Sequence, residues 1–213
     1  MKLHTWHSEE LGREFYFRPG LDDEAIYDFE CRWHIPPEWA FAPRSILDCG
    51  SNIGLTMAHY RHLFPEAPIV GVELDAENVV IARMNVGDPI LCAALSKYGN
   101  EVVYAYRSDS KTNSYNVFGD RNDGQGDRLA VGVSVLDLER EFPEERIGLL
   151  KLDIEGSEKN ILSDPESLER VESVLVETHE PYTREEADAH LREAGFLTQS
   201  VPHPKAVYAW KAR

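Results

Sequence analysis

From Ser45 onward the chain alternates short apolar runs with segments of helical periodicity, and this alternation limits the possible folds more than any other feature. Strands buried on both faces of a parallel sheet have this nearly continuous apolar character, and helices cover both sides of such a sheet. The pattern therefore predicts an α/β fold with a doubly wound, mostly parallel sheet. The predicted strands are Ser45–Asp48, Ile69–Glu73, a third within Pro89–Leu95, Leu149–Asp153 and Ser173–Glu177.

The C-terminal segment has a different pattern. Thr183 and Glu186 form a capping-box signature, which predicts a helix that ends near Gly195. Two further strands are predicted at Phe196–Val201 and Val207–Trp210, on either side of a loop stiffened by prolines. Such a hairpin would add one antiparallel strand to the sheet near the C-terminus.

Two regions interrupt the alternation. Residues 1–44 are too short for a separate domain, so we expect an N-terminal extension or lid that packs on a domain spanning residues 45–213. The second region begins with a strand predicted at Val102–Tyr106. A polar stretch, Ser108–Asp127, follows this strand, and its length and composition fit either a functional lid or a solvated loop.

Charge and composition exclude several kinds of partner. The chain has 22 Lys and Arg against 38 Asp and Glu, a net charge of −16, whereas nucleic acids and anionic membranes bind basic surfaces. It has no apolar run of about 18 residues and no signal-peptide core at its start. Cys31, Cys49 and Cys92 lack a paired spacing, as is typical of reduced thiols. We expect a cytoplasmic protein that acts on a small molecule, and the oligomeric state stays open.

The turn after the first strand, Asp48–Gly54 (DCGSNIG), predicts a ligand site. Glycines at a strand-to-helix turn let the backbone approach a ligand closely, and the following helix offers N–H groups and a positive dipole end. Glu73 ends the second strand, 19 residues after Gly54, where a carboxylate can accept both hydroxyls of a ribose. Together these residues predict a nucleoside site at the carboxyl ends of the strands.

The spacing of the turn distinguishes between nucleoside cofactors. A dinucleotide site requires three glycines in the pattern G-x-G-x-x-G, but Asp48 and Ile53 stand at the first and third of these positions. A carboxylate at Asp48 would repel a pyrophosphate, whereas it would suit a cofactor with an ammonium group. S-adenosylmethionine meets this condition, and a nicotinamide cofactor does not. The remaining alternative is a structural turn with a helix cap.

Several stretches resemble the FkbM-type S-adenosylmethionine-dependent methyltransferases, over about residues 45–180. The segment 153–158 (DIEGSE) is the most family-specific, whereas the glycine turn is shared by many class I methyltransferases. Leu74 stands where the family often has proline, and residues 1–44 do not align with it. The resemblance implies a Rossmann-like seven-stranded sheet with a reversed last strand, and methyl transfer, often to a hydroxyl of a sugar or secondary metabolite. The similar stretches are Leu47–Gly54, Val72–Asp75 with Asn78, Val133–Asp137, Leu150–Glu158 and Leu175–His179.

The resemblance also implies which residues hold the cofactor. The glycine turn would hold the methionine end, with Asp48 anchoring it through hydrogen bonds, and Glu73 would take the ribose. Two residues after the third strand would flank the adenine, and Asp75 would either orient the adenosine or cap its helix. The expected cofactor-binding residues are Asp48, Gly50, Ser51, Asn52, Gly54, Glu73, Leu74, Asp75, Ala94 and Leu95.

Candidate catalytic groups stand at the tips of the fourth and fifth strands. Asp153 with Glu155, and Glu177 with His179, are pairs two residues apart, so each pair can face one side of an extended chain. We predict that His179 or Glu177 deprotonates the acceptor and that Asp153 orients the acceptor or the cofactor. Capping of helix N-termini is the alternative for Asp153 and Glu177. These two and His179 also permit a magnesium site, but strand-end carboxylates are common without metal and none is predicted.

The sequence thus predicts a methyltransferase that uses S-adenosylmethionine and acts on a hydroxyl of a sugar or small natural product. Alignment of the reactants can lower the activation barrier by about 7–11 kcal/mol, whereas a general base raises the rate by about 10²–10⁴-fold. A methyltransferase can therefore be inferred before its base is known. An N-methyltransferase acting on a small amine and a non-catalytic cofactor-binding subunit are the alternatives.

Overall fold

The computed structural model describes residues 2–31, 34, 42–107, 115–117 and 128–212. Most of the polar stretch Ser108–Asp127, including any lid that it forms, lies outside these residues. Among the described residues, none of the helices combines the length and the hydrophobicity that a bilayer crossing requires.

Strands and helices alternate through most of the chain. The strands are β1 (His4–Ser8), β2 (Arg13–Phe17), β3 (Ile46–Cys49), β4 (Ile69–Glu73), β5 (Ile90–Cys92), β6 (Ala94–Leu95), β7 (Val102–Arg107), β8 (Tyr115–Val117), β9 (Arg128–Val133), β10 (Leu149–Leu152), β11 (Ser173–Glu177), β12 (Phe196–Ser200) and β13 (Ala206–Lys211). The α-helices are α1 (Asp23–Cys31), α2 (Leu55–Leu63), α3 (Ala76–Asn85), α4 (Val135–Glu139), α5 (Glu158–Leu162) and α6 (Arg184–Glu193). Two 3₁₀ turns lie at Pro143–Glu145 and Pro165–Leu168.

The central sheet has seven strands in the order β12-β13-β11-β10-β3-β4-β5. Neighbouring strands run parallel from β11 to β5, and β13 runs antiparallel to both β11 and β12. This confirms the prediction of a mostly parallel α/β sheet with one reversed strand near the C-terminus. Strand β3 pairs with β4, the next strand along the chain, on one side, and with β10, from much later in the chain, on its other side. The carboxyl end of β3 is therefore a switch point, where doubly wound sheets bind ligands.

Successive residues of the central strands face opposite layers. Ile46 lies in a buried cluster with residues of α2 and α3, whereas the adjacent Leu47 lies in a second buried cluster with residues of α4, α5 and α6. In β10, Leu149 lies in the same cluster as Ile46, and Leu150 lies in the same cluster as Leu47. Burial on both faces explains why these strands are almost continuously apolar.

The N-terminal segment packs against the layer formed by α2 and α3. Strands β1 and β2 form an antiparallel hairpin, and Phe15 and Phe29 are buried in the same cluster as Ile46. The hairpin is also joined to the end of α3, because Tyr16 N donates to Asn85 Oδ1 at 2.7 Å and Asn85 Nδ2 donates to Tyr16 O at 3.0 Å. The division of the chain into an extension and a domain at residue 44 stays a prediction.

The third strand predicted within Pro89–Leu95 is β5, and the structure adds that the chain changes sheets at Ala93. Ala93 N donates to Glu73 O at 3.0 Å, which is the last bond to β4. Beyond it, β6 pairs with β9 in a second sheet of order β6-β9-β7-β8. This change of direction places Ala94 and Leu95 over the carboxyl end of β4.

Candidate active site

The turn between β3 and α2 is formed by residues in left-handed backbone conformations. Gly50 has φ 79°, Asn52 has φ 46° and Gly54, the N-cap of α2, has φ 85°. Glycine adopts this region freely and asparagine tolerates it. A Cβ atom at Gly50 would lie 1.8 Å from the Asp153 carbonyl oxygen, so this position also requires glycine for space. The turn is therefore packed directly against the end of β10.

Most of the backbone amides of this turn already donate within the protein. The amides of Gly50 and Ser51 donate to Val72 O, at 2.9 and 3.1 Å, and that of Gly54 donates to Ser51 O at 2.8 Å. Asn52 N donates to Glu73 Oε2 at 2.8 Å. These four N–H groups are not available to a phosphate, which agrees with the missing dinucleotide spacing.

Glu73 links the glycine turn to the next helix. Its Oε2 accepts from Asn52 N, and its Oε1 accepts from Asp75 N at 2.7 Å. Burial raises the pKa of Glu73 to about 7, although these backbone hydrogen bonds oppose the shift. Asn78 also hydrogen-bonds to Glu73, so three donors use part of its four acceptor positions, and the side chain lines a crevice. Asp75 caps α3 by accepting from Glu77 N at 2.8 Å. The capping alternative for Asp75 is thus confirmed.

The crevice lies outside the carboxyl ends of β3, β4 and β10 and has a volume of about 630 Å³ including its open mouth. Six of the ten predicted cofactor residues line it, namely Gly50, Asn52, Glu73, Leu74, Ala94 and Leu95. Asp153 and Glu155, after β10, line it as well. Asp48, Ser51, Gly54 and Asp75 are not part of its lining. The walls thus combine an acid at the end of β4 with apolar side chains from Leu74 and the β6 segment.

Asp48 faces a lysine of its own chain. Its Oδ1 lies 3.2 Å from Lys151 Nζ, and both side chains are almost completely buried. Lys151 Nζ also donates to Gly50 O at 3.0 Å and lies 3.4 Å from Asp153 Oδ2. Burial raises the pKa of the Asp48 carboxyl, and Lys151 opposes this shift. Burial lowers the pKa of Lys151, but Asp48 and Asp153 outweigh it and raise the pKa overall. Asp48 therefore supports the turn through Lys151.

The predicted catalytic side chains lie close together at the tips of β10 and β11. His179 Nε2 is 3.7 Å from Asp153 Oδ1, 3.5 Å from Glu155 Oε2 and 4.0 Å from Glu177 Oε1. His179 Nδ1 is 2.9 Å from Oε1 of Glu158, which is fully buried. Burial lowers the pKa of His179, but the hydrogen bond to Glu158 and the neighbouring carboxylates outweigh it and raise the pKa to about 9.

A second cavity, of about 420 Å³, adjoins the crevice at the glycine turn. Both are lined by Gly50, Asn52 and Asp153. The N-terminal segment contributes Ala25, Phe29 and His34 to the second cavity, which Ser51 and Lys151 also line. The extension thus forms part of the surroundings of the site.

Several side chains at the site have no assigned role in the sequence interpretation. A lysine within an apolar strand is a signal for Lys151, because a buried ammonium requires a charged partner. The signal for Glu158 is its place in segment 153–158, the stretch most specific to the family that the sequence resembles. Nothing in the sequence indicates that His203, in the β12–β13 loop, lies 3.9 Å from Glu177 Oε1. Likewise, only the fold shows that Arg18 donates to Asn78 beside Glu73.

The similarity to known proteins agrees with this geometry. The chain is 29% identical over 188 residues to the methyltransferase sdnD of Sordaria araneosa. This alignment covers 71% of this chain and 73% of that protein. Its fold resembles that of the methyltransferase FkbM from Methylobacillus flagellatus KT, with a TM-score of 0.51, 13% identity and coverage of 81% of this chain and 45% of the other. The structure of an O-methyltransferase family protein from Burkholderia thailandensis has a TM-score of 0.52 at 11% identity, and the match covers 90% of this chain and 58% of that one.

The family model of the methyltransferase FkbM domain matches residues 48–198. This range begins at the end of β3 and includes the glycine turn, Glu73 and the strand-end cluster of β10 and β11. The chain therefore belongs to the FkbM methyltransferase family.

Proposed function

We propose that the methyl donor is S-adenosylmethionine and that it binds in the crevice. The residues fit such a group. Glu73 offers its remaining acceptor capacity to the ribose, and Leu74, Ala94 and Leu95 supply apolar surface for the adenine. At the turn, Asn52 Oδ1 in the crevice lining and Ser51 Oγ in the lining of the adjoining cavity are buried without a hydrogen-bond partner among the described residues. Such atoms can serve the zwitterionic amino-acid end of the cofactor.

We further propose that the acceptor is a hydroxyl of a sugar or small natural product. The observation that supports this is the group formed by Asp153, Glu177 and His179 beside the crevice. The bound cofactor supplies a methyl group on a sulfonium sulfur. A hydroxyl is a weak nucleophile unless it gives up its proton as it attacks, whereas a neutral amine can attack with its lone pair and release a proton afterwards. Glu177 would take this proton, or His179 at a pH above its pKa of about 9, and Asp153 would orient the acceptor.

Binding of S-adenosylhomocysteine, measured by calorimetry, tests the cofactor. We expect saturable binding at one site per chain and no comparable binding of NAD. Glu73→Gln should weaken the binding, whereas Glu185→Gln, which removes an exposed acid from α6, should not. Tight binding of NAD with none of S-adenosylhomocysteine would overturn the proposal.

A screen with isotope-labelled cofactor, read by mass spectrometry, tests the acceptor. It should use pairs of sugars and aglycones that differ only in a hydroxyl or an amino group at one position. We expect label on the hydroxyl member. With an acceptor identified, Glu177→Gln or His179→Gln should lower kcat by about 10²–10⁴-fold while cofactor binding is retained. Label on the amine members alone would contradict O-methylation.

A further inference from the structure

The surroundings of His179 identify one of its ring nitrogens as a ligand atom. Glu158 is fixed by two backbone donors, since Ile154 N donates to its Oε1 at 3.0 Å and Gly156 N donates to its Oε2 at 2.9 Å. Its Oε1 also accepts from His179 Nδ1 at 2.9 Å. A buried carboxylate held in this way fixes the orientation of the imidazole ring and keeps a proton on Nδ1. The other nitrogen, Nε2, then faces the strand-end carboxylates.

The distances from Nε2 to these carboxylates are too long for good hydrogen bonds. They are 3.7 Å to Asp153 Oδ1 and 4.0 Å to Glu177 Oε1. Two ligands about 2.1 Å from one ion lie about 3.0 Å apart at right angles and about 4.2 Å apart when opposite each other. One ligand atom from each of Asp153, Glu177 and His179 can be chosen so that all lie within 4.8 Å of one another. Small rotations of the Asp153 and Glu177 side chains would bring their oxygens and His179 Nε2 around a single ion.

We propose that Asp153, Glu177 and His179 bind one divalent cation, with Glu158 as the positioning residue for the imidazole. A histidine that donates its second ring N–H to a carboxylate is the usual arrangement at metal sites. Carboxylates favour Mg²⁺, Ca²⁺ and Mn²⁺, and imidazole adds a nitrogen ligand of the kind that first-row transition metals accept. Mn²⁺ belongs to both groups and is the ion of choice for a test. Glu155, 3.5 Å from Nε2, adds a third negative charge beside the site.

Three ligands occupy part of an octahedral shell, and Asp153 also lines the crevice. The open positions would therefore face the bound acceptor and take its oxygen atoms. This part of the inference rests on the proposed function, whereas the binding of the cation does not.

The test uses the full chain, stripped of metal with a chelator and titrated with Mn²⁺. The free hexaaqua ion is followed by its electron paramagnetic resonance signal. We expect one bound Mn²⁺ per chain. Asp153→Asn, Glu177→Gln and His179→Gln should each weaken binding by about tenfold or more. Glu166→Gln, which removes one charge from an exposed position of the 3₁₀ turn Pro165–Leu168, is the matched control and should bind as the unaltered chain does.

Glu158→Gln separates positioning from folding. It should weaken Mn²⁺ binding by about 10–100-fold while the affinity for S-adenosylhomocysteine is retained. If this buried change disrupts folding, Glu177→Gln, at a position that is not fully buried, still decides the question. Absence of Mn²⁺ binding at millimolar concentration, or equal affinities in the unaltered chain and the three ligand variants, overturns the inference. Mn²⁺ binding without cofactor binding would contradict the proposed function alone.

Discussion

Lys151 Nζ lies 3.2 Å from Asp48 Oδ1, and both side chains are in the interior beneath the glycine turn. Lys151 also donates to the Gly50 carbonyl, so this pair connects two neighbouring strands to the turn. An ammonium and a carboxylate at this depth are stable only together, because each has lost its hydration.

Removing one member of this pair should therefore cost more than removing both. We expect Asp48→Asn to lower the free energy of unfolding by about 3–5 kcal/mol, because it leaves the Lys151 ammonium buried with less compensation. Lys151→Met should cost less, since burial already favours the protonated form of Asp48. Asp48→Asn with Lys151→Met should be more stable than the sum of the single changes predicts. Urea unfolding of the four proteins gives the coupling energy, and strict additivity would contradict a paired interaction.

The pKa of Glu73, about 7, predicts that cofactor affinity depends on pH. Burial keeps a proton on this carboxyl below that value, and a protonated carboxyl accepts ribose hydroxyls less well than a carboxylate. Affinity for S-adenosylhomocysteine should thus rise by about tenfold with increasing pH and level off above about pH 7. Calorimetry between pH 5.5 and 8.5 measures this. Glu73→Gln should bind weakly with no step near pH 7, and a step that persists in this variant would assign it to another group.

Gly50 should tolerate no side chain. In Gly50→Ala the new Cβ would be 1.8 Å from the Asp153 carbonyl oxygen, so the turn or the end of β10 must move. Gly195→Ala is the control, because Gly195 has a similar φ of 86° and open space around it. The control should lose only about 1–2 kcal/mol of stability, which is the cost of a residue with a Cβ in the left-handed backbone region. We expect Gly50→Ala to lose more stability and to bind no S-adenosylhomocysteine. Equal unfolding midpoints would contradict the steric argument.

Arg18 should couple the N-terminal segment to the cofactor site. It forms a buried pair with Asp22, with Nη2 2.6 Å from Oδ1, and it donates to Asn78 Oδ1. Asn78 in turn hydrogen-bonds to Glu73. Arg18→Met should cost about 3–5 kcal/mol of stability and should weaken S-adenosylhomocysteine binding.

Arg192→Met provides the matched control for Arg18. Arg192 also pairs with an aspartate four residues away, Asp188, but this pair is exposed on α6. We expect the change to leave stability and cofactor affinity as they are, because exposed pairs contribute little. A similar loss in both variants would show that the effect at Arg18 does not depend on burial.

The local pattern of the sequence determined the architecture and the position of the site. Apolar runs that must be buried on both faces require a parallel sheet with helices on each side. The glycine turn directly follows β3 and Glu73 ends β4, so their places at the carboxyl edge follow from the strand order. The cap at Asp75 and the capping box at Thr183 were also predictable, because a cap is a contact between residues near in sequence.

Contacts between distant segments were decided only by the tertiary structure. The sequence indicates an acid at Asp48 that would suit an ammonium, but it does not show that Lys151, about a hundred residues later, supplies one. In the same way, Glu158 and His179 meet only because β10 and β11 are neighbours. Ala93 leaves the first sheet because β9 offers a partner from elsewhere in the chain. Hydrophobic periodicity records how each segment is buried, whereas charge pairing and ligand geometry depend on which segments become neighbours in the fold.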